Sequence, residues 1–375
     1  MSQIFDADSH VMEVEGWLPS FADPEIRERL APLGLEKAGK GAAELMQSLP
    51  ELWEKHKDEA IDASVISGPK GWQAPGALDT GVRSKVLDAL EIDAQLVFPT
   101  FSLGHFARSK DLDVLYGGTR AMNRAMAAFC SDDPRLLPVG YLPLNDPERA
   151  RQELDLAIQA GIKAVWVPSE APGDFSPAHV DLDRVWARLA EAGIPFVLHV
   201  GGGKTLAKAF HNNGRPLPKD WLGGGENLRA KDLPVLHHSP EQFLASMVLD
   251  GTFERHPGLR GGAIELGASW VPTLLRNLDH AARTLGKREP LITELSLDPS
   301  DYLRRQVRFT PFPFEDTAWL VEQCGTELFC FSTDYPHPEG GRRPFEIFGE
   351  AMAGFDDSAR ERFFWRNGAD LVGLG

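Results

Sequence analysis

Ile4-Phe5-Asp6-Ala7-Asp8-Ser9-His10 opens the chain with a short apolar start that runs into two carboxylates and an imidazole at alternate positions. Side chains alternate faces along a β-strand, so Asp6, Asp8 and His10 point to one side with neighbours roughly 6.5–7 Å apart. That arrangement is half of a metal site, set at the end of a first strand. A plainer reading has Asp8 capping a turn and His10 starting a loop. Only Met1-Ser2-Gln3 stand ahead of the stretch, so no leader peptide is expected.

Working outward, short apolar runs rich in branched residues recur at 95–99, 137–142, 164–168, 196–200, 262–266, 307–310 and 328–333. With residues 4–8 they predict eight strands. Helical stretches separate them. Asp146 followed by Pro147 starts one that Gly161 ends, and 181–192 repeats the pattern up to Gly193. Strands alternating with helices make βα units around a parallel sheet, and eight of them close most economically into a distorted (β/α)8 TIM barrel. Residues 1–375 then form a single domain. Three stretches exceed ordinary loop length, at about 11–84, 201–240 and 281–305, and are expected as insertions capping the carboxyl-end face.

A length of 375 residues suits such a barrel with insertions, and 42% hydrophobic with 25% charged residues is globular composition. No apolar run approaches the roughly 18 residues needed to cross a bilayer, so no membrane partner is expected. Lys and Arg total 39 against 55 Asp and Glu, and the net charge of -16 repels polyanions, so no nucleic-acid role is expected. The three cysteines, Cys130, Cys324 and Cys330, have no metal-ligand spacing and fit a reducing, cytoplasmic setting.

Functional residues of a barrel sit at the carboxyl ends of its strands. The first strand ends in Asp8 and His10, the fifth at His199 just ahead of Gly201-Gly202-Gly203, and the eighth runs into Asp334-Tyr335-Pro336-His337. Two imidazoles and one or two carboxylates suit zinc, or iron or manganese as the oxygen share rises.

These residues resemble the amidohydrolase superfamily, in a branch similar to aminocarboxymuconate semialdehyde decarboxylase. The likeness extends to Leu96-Val97-Phe98-Pro99-Thr100, to the 251–259 run ending His256-Pro257-Gly258-Leu259, and to the closing Asn367-Gly368-Ala369-Asp370-Leu371-Val372-Gly373-Leu374. It implies one divalent ion, or two, held by Asp8, His10, His199 and Asp334, and a homodimer. Two places depart from the branch pattern. Asp8 stands where a histidine is usual, with Asp6 as an extra carboxylate, and Glu265 stands where the acid/base histidine of the sixth strand would be.

A carboxylate beside a metal can take a proton from water. The expected function is therefore a metal-dependent hydrolase of an ester, thioester, amide or activated C–C bond in a bulky carboxylic-acid-type small molecule. Asp334, Glu265 and His199 are its catalytic candidates, and Glu265 and Asp6 its further metal candidates. The alternatives are non-oxidative decarboxylation of an aromatic or enoic acid, and a barrel that binds a ligand without turnover. His337, Trp270, His237 and His238 are expected to face substrate. Trp17, Trp72 and Trp221 are further candidates for an apolar pocket, and His211 and His256 read as ordinary surface or helix-end histidines.

Overall fold

The structure is a computed structural model and describes residues 3–37, 41–203, 206–216 and 230–374. Eight short strands lie in one parallel arrangement: β1 (Phe5–Asp6), β2 (His10–Val11), β3 (Ala94–Pro99), β4 (Leu136–Tyr141), β5 (Ala164–Trp166), β6 (Phe196–His199), β7 (Gly261–Ile264) and β8 (Val307–Phe309). β1 and β2 are one chain segment broken at Ala7–Asp8, and both pair with β3, Phe5 opposite Ala94 and His10 opposite Phe98. From β3 each strand pairs with the next in sequence order to β8. Nearly every strand residue is buried, as expected when a parallel sheet is covered on both faces.

The run at 328–333, expected as an eighth strand, is not a regular one. It closes the ring through isolated bridges, Phe329 with Phe309 and Tyr335 with Ser9. Ala7 N donates to Phe331 O at 3.0 Å, Asp334 N to Asp8 O at 2.8 Å and His10 N to Tyr335 O at 2.7 Å. Regular pairing gives way where the backbone and hydroxyl of Thr333 turn to the carboxylate of the distant Asp6 and Asp334 takes a left-handed φ of 53°.

The helices follow their capping signals. Asp146 accepts from Glu148 N and Arg149 N, each at 3.0 Å, and the helix Pro147–Ala160 ends at Gly161 with φ 92°. The stretch 181–192 is a 3₁₀ turn, Val180–Leu182, followed by the helix Asp183–Ala192.

Of the expected insertions, 11–84 carries the helix Ala42–Asp58 and straps itself to the mouth of the barrel. Met12 N donates to Ala77 O, Gly71 N to Pro336 O, each at 2.8 Å, and the indole of Trp72 to Glu13 O at 3.1 Å. Within 201–240, residues 204–205 and 217–229 lie outside the described residues, Trp221 included. The third stretch, 281–305, is helical and not a capping loop. Its last helix, Pro299–Gln306, feeds β8 from the amino-terminal end, where Gln306 bonds the carbonyls of His256 and Leu259 ahead of β7. Among the described residues no helix is long and apolar enough to cross a membrane.

Candidate metal centre

The strand ends converge. Asp8 stands in the break between β1 and β2, His10 opens β2, His199 closes β6, Glu265 follows β7, and Asp334 follows the ring-closing run; all five are buried. His199 Nε2 lies 3.4 Å from Asp8 Oδ1 and 3.3 Å from Glu265 Oε2. His10 Nε2 lies 3.4 Å from Asp8 Oδ1, 3.6 Å from Asp334 Oδ1 and 3.8 Å from Glu265 Oε2. Two overlapping foursomes could each hold an ion: Asp8, His10, His199 and Glu265, and His10, Glu265, Asp334 and His337.

The second nitrogen of each ring is already engaged. His10 Nδ1 faces Pro99 O at 3.3 Å, and His199 Nδ1 faces Val200 O at 3.0 Å. A carbonyl can only accept, so Nδ1 carries the hydrogen and Nε2 offers its lone pair to the shared space. Buried polar atoms are normally hydrogen-bonded. Yet His10 Nε2 and both carboxylate oxygens of Asp334 are buried with no hydrogen-bond partner among the described residues. Three carboxylates and two imidazole nitrogens packed this closely, with donors left over, make a divalent metal site.

The electrostatics agree. Burial alone would raise Asp8, but hydrogen bonds and charge from His10 and His199 hold its carboxyl well below the usual range. Burial and the neighbouring His337 push His10 down to about 3, so its ring is neutral, as a ligand must be. Burial first, and then the charges of Asp8 and Glu339, push Asp334 well above the usual carboxylate range.

Two site residues have a backbone that only glycine adopts freely: Glu265 at φ 54° and Asp334 at φ 53°. Each is held there by a bond that its backbone N–H donates, Glu265 N to Thr310 Oγ1 at 2.9 Å and Asp334 N to Asp8 O at 2.8 Å. Such strain persists only where surrounding structure enforces it, and it turns both carboxylates inward from strand ends. Gly340 completes the fit, since a Cβ there would stand 2.0 Å from Thr333 O.

Asp6 does not join the cluster. Its oxygens accept from Thr333 N at 2.8 Å, Thr333 Oγ1 at 2.6 Å and Gln95 Nε2 at 2.8 Å, and Gln95 in turn accepts from the buried Arg83. It ties β1 to β3 and to the ring-closing run. His337 comes closer than its sequence position suggests: Nδ1 lies 3.1 Å from Asp334 Oδ1, and Nε2 lies 3.0 Å from Thr100 Oγ1. Trp270 spends its indole hydrogen on the carbonyls of Leu266 and Gly267 and stacks on His237 at 5.3 Å. Burial, then His238, pushes His237 down to about 4. His238 lines a different cavity of about 650 Å³ beside Ser239 and Phe243. His211 pairs with Asp232 and His256 with Asp183, away from the cluster.

Several site residues carry no motif. Thr100, directly after β3, touches both His10 Nδ1 and His337 Nε2. Glu13 accepts the backbone N–H groups of Thr100, Phe101 and Ser102 and so shapes the turn that presents Thr100. Lys70 places its buried ammonium 5.6 Å from the ring centre of Tyr335 with no hydrogen-bond partner among the described residues. Burial, partly offset by Asp334, draws it down to about 8. A cavity of about 670 Å³ adjoins the cluster through Thr100, lined also by Phe101, Arg108, Tyr141, Trp166 and Gly202. The ring of Trp166 lies 4.7 Å from that of His199.

A family model described as Amidohydrolase matches residues 5–374. Gamma-resorcylate decarboxylase of Rhizobium radiobacter is 25% identical over 238 residues, which is 58% of this chain and 65% of the length of that relative. An amidohydrolase structure from Mycobacterium avium subsp. paratuberculosis superposes with a TM-score of 0.74 at 24% identity, covering 99% of both chains. The 5-carboxyvanillate decarboxylase of Novosphingobium aromaticivorans, complexed with manganese and 4-hydroxy-3-methoxy-5-nitrobenzoic acid, superposes with a TM-score of 0.64 at 18% identity, covering 100% of this chain and 96% of that one.

Proposed function

The chain belongs to the amidohydrolase family, and from that premise we propose that it is a metal-dependent, non-oxidative decarboxylase of an aromatic carboxylic acid. One observation carries the reading: the cavity that adjoins the cluster through Thr100 and Trp166 is lined by the rings of Phe101, Tyr141 and Trp166, walls that suit an aromatic ring. The decarboxylase relatives support it. Asp8, His10, His199 and Asp334 would hold the ion, with Glu265 beside it. Two imidazoles against three carboxylates favour manganese over the zinc expected from sequence.

A divalent cation bound there supplies positive charge that anchors the substrate carboxylate and offsets charge building on the ring. The protein does the rest. In the reaction the ring–carboxyl bond breaks, carbon dioxide leaves, and the electron pair left on the ring carbon takes a proton. Glu265 and Asp334 are the carboxyl groups in reach to deliver it, each turned inward by its backbone. The aromatic walls exclude water and hold the ring plane.

Hydrolysis is the second reading, favoured by Glu265 standing 3.3 Å from His199 Nε2, where it could take a proton from water. Purified protein loaded with manganese or zinc, given a panel of aromatic acids in heavy water, separates the two. Released carbon dioxide with deuterium at the vacated ring carbon supports decarboxylation. No carbon dioxide from any acid, with cleavage of aryl esters or amides, overturns it in favour of hydrolysis.

A further inference from the structure

The chain has four tyrosines, and three of them have hydroxyls in use. Tyr116 bonds the carbonyls of Pro143 and Asp146, Tyr335 the carbonyl of Pro75, and Tyr302 the carboxylate of Glu254. Tyr141 differs. Its side chain is buried, it lines the cavity beside the metal ligands, and its hydroxyl has no partner among the described residues. The hydroxyl is not sealed in the core: it has access to the cavity that Tyr141 lines, so a molecule held there can supply the partner that the protein does not.

Its place in the barrel says where that partner comes from. Tyr141 is the last residue of β4, so it stands at the carboxyl-end mouth where substrates of this architecture bind. Its ring meets Trp166 edge-to-face at 6.2 Å, and Trp166 in turn packs on His199. One indole therefore separates the ring of Tyr141 from that of His199, so a molecule in the cavity beside Trp166 lies within reach of both the cluster and the tyrosine. The same cavity is lined by Arg108, whose guanidinium has no hydrogen-bond or ion-pair partner among the described residues, and by Glu170.

We propose that Tyr141 is a specificity-determining residue that donates a hydrogen bond to an oxygen substituent on the substrate ring, remote from the carboxylate held at the metal. This rests on the aromatic-acid reading above and extends it to the substrate's far end. The required chemistry is an accepting oxygen. Burial, and then the neighbouring Tyr116 and Glu170, hold the phenol far above its ordinary range, so it remains a donor. A ring hydroxyl and a second carboxylate both meet that requirement. Only the carboxylate also gains from the Arg108 charge.

Calorimetric titration of manganese-loaded protein with benzoate, 3-hydroxybenzoate and isophthalate tests this. At least one oxygenated acid should bind about ten-fold more tightly than benzoate, the size of one good hydrogen bond. Tyr141→Phe keeps the ring and its packing, and should bring that preference to within about two-fold of none. Arg108→Met should reduce the preference for isophthalate and spare that for 3-hydroxybenzoate, which identifies the substituent. Equal binding of all three acids, binding of none, or a preference that survives Tyr141→Phe overturns the assignment. Carbon dioxide release is read separately. Discrimination without turnover keeps this role and removes the decarboxylase reading, and turnover without discrimination does the reverse.

Discussion

His10 and His337 stack face to face, ring centres 3.9 Å apart and planes inclined by 21°, and the hydroxyl of Thr100 touches both. The pair joins the second strand to a turn more than three hundred residues later. His337 therefore sets the plane of the His10 ring, a candidate metal ligand, while its Nδ1 faces the carboxylate of Asp334. His337→Phe keeps the stacked ring and removes both polar contacts. It should lower metal affinity about 10- to 100-fold, the usual cost of losing a partner behind a ligand. Competition with a chelator, read by metal analysis, checks this; unchanged affinity would mean that the stack alone orients His10.

His199→Ala removes a nitrogen from the centre of the cluster. Bound metal should fall below about one tenth of an equivalent while the circular dichroism spectrum is retained, because the strands are held by buried apolar contacts and not by the ion. Loss of the fold on removing metal would contradict this.

Glu265→Gln keeps the shape of the side chain and an accepting oxygen. Metal should be retained, and turnover should fall by about 10²-fold or more if Glu265 handles the proton. Turnover at the wild-type rate assigns that task to Asp334.

Asp6→Asn places an N–H₂ against donors that the carboxylate now accepts, from Thr333 and Gln95. Leaving one such buried group unmet costs about 1–3 kcal/mol. The melting temperature should drop by several degrees with metal content unchanged in folded protein; metal loss without destabilisation would make Asp6 a ligand after all.

Lys70 titrates at about 8 when folded and at 10.5 when unfolded. Between these values the unfolded chain holds a proton that the folded one has released, so Lys70's contribution to stability rises with pH across that window. Below pH 8 the contribution is gone, because the charged form is buried. Denaturant unfolding at pH 7.5 and pH 10 should show Lys70→Met losing this rise relative to wild type, a difference on the order of 3 kcal/mol. Parallel curves for the two proteins would refute it.

Local signals were legible wherever local physics decided the outcome. Asp146-Pro147 and Gly161 bound a helix in sequence and in structure because caps satisfy backbone groups within a few residues. Asp8, His10, His199 and Asp334 were legible because barrel strands deliver their ends to one mouth. The run 328–333 reads as a strand by composition. Its regular pairing is lost to the Thr333–Asp6 contact, which spans 327 residues and leaves no trace in spacing. Thr100, Glu13 and Lys70 escaped for the same reason. Tyr141 was within reach: the predicted strand ran to Leu142, one residue too far, which hid the tyrosine inside the strand.

The seam between the two ends of the chain has a consequence for biosynthesis. Asp8 and His10 leave the ribosome more than three hundred residues ahead of Asp334, yet these residues meet only when the ring-closing run docks beside the opening strand. A nascent or prematurely ended chain that stops before residue 334 lacks one carboxylate and the clasp that positions the others. A cation held by this cluster would therefore be captured only after the ring has closed.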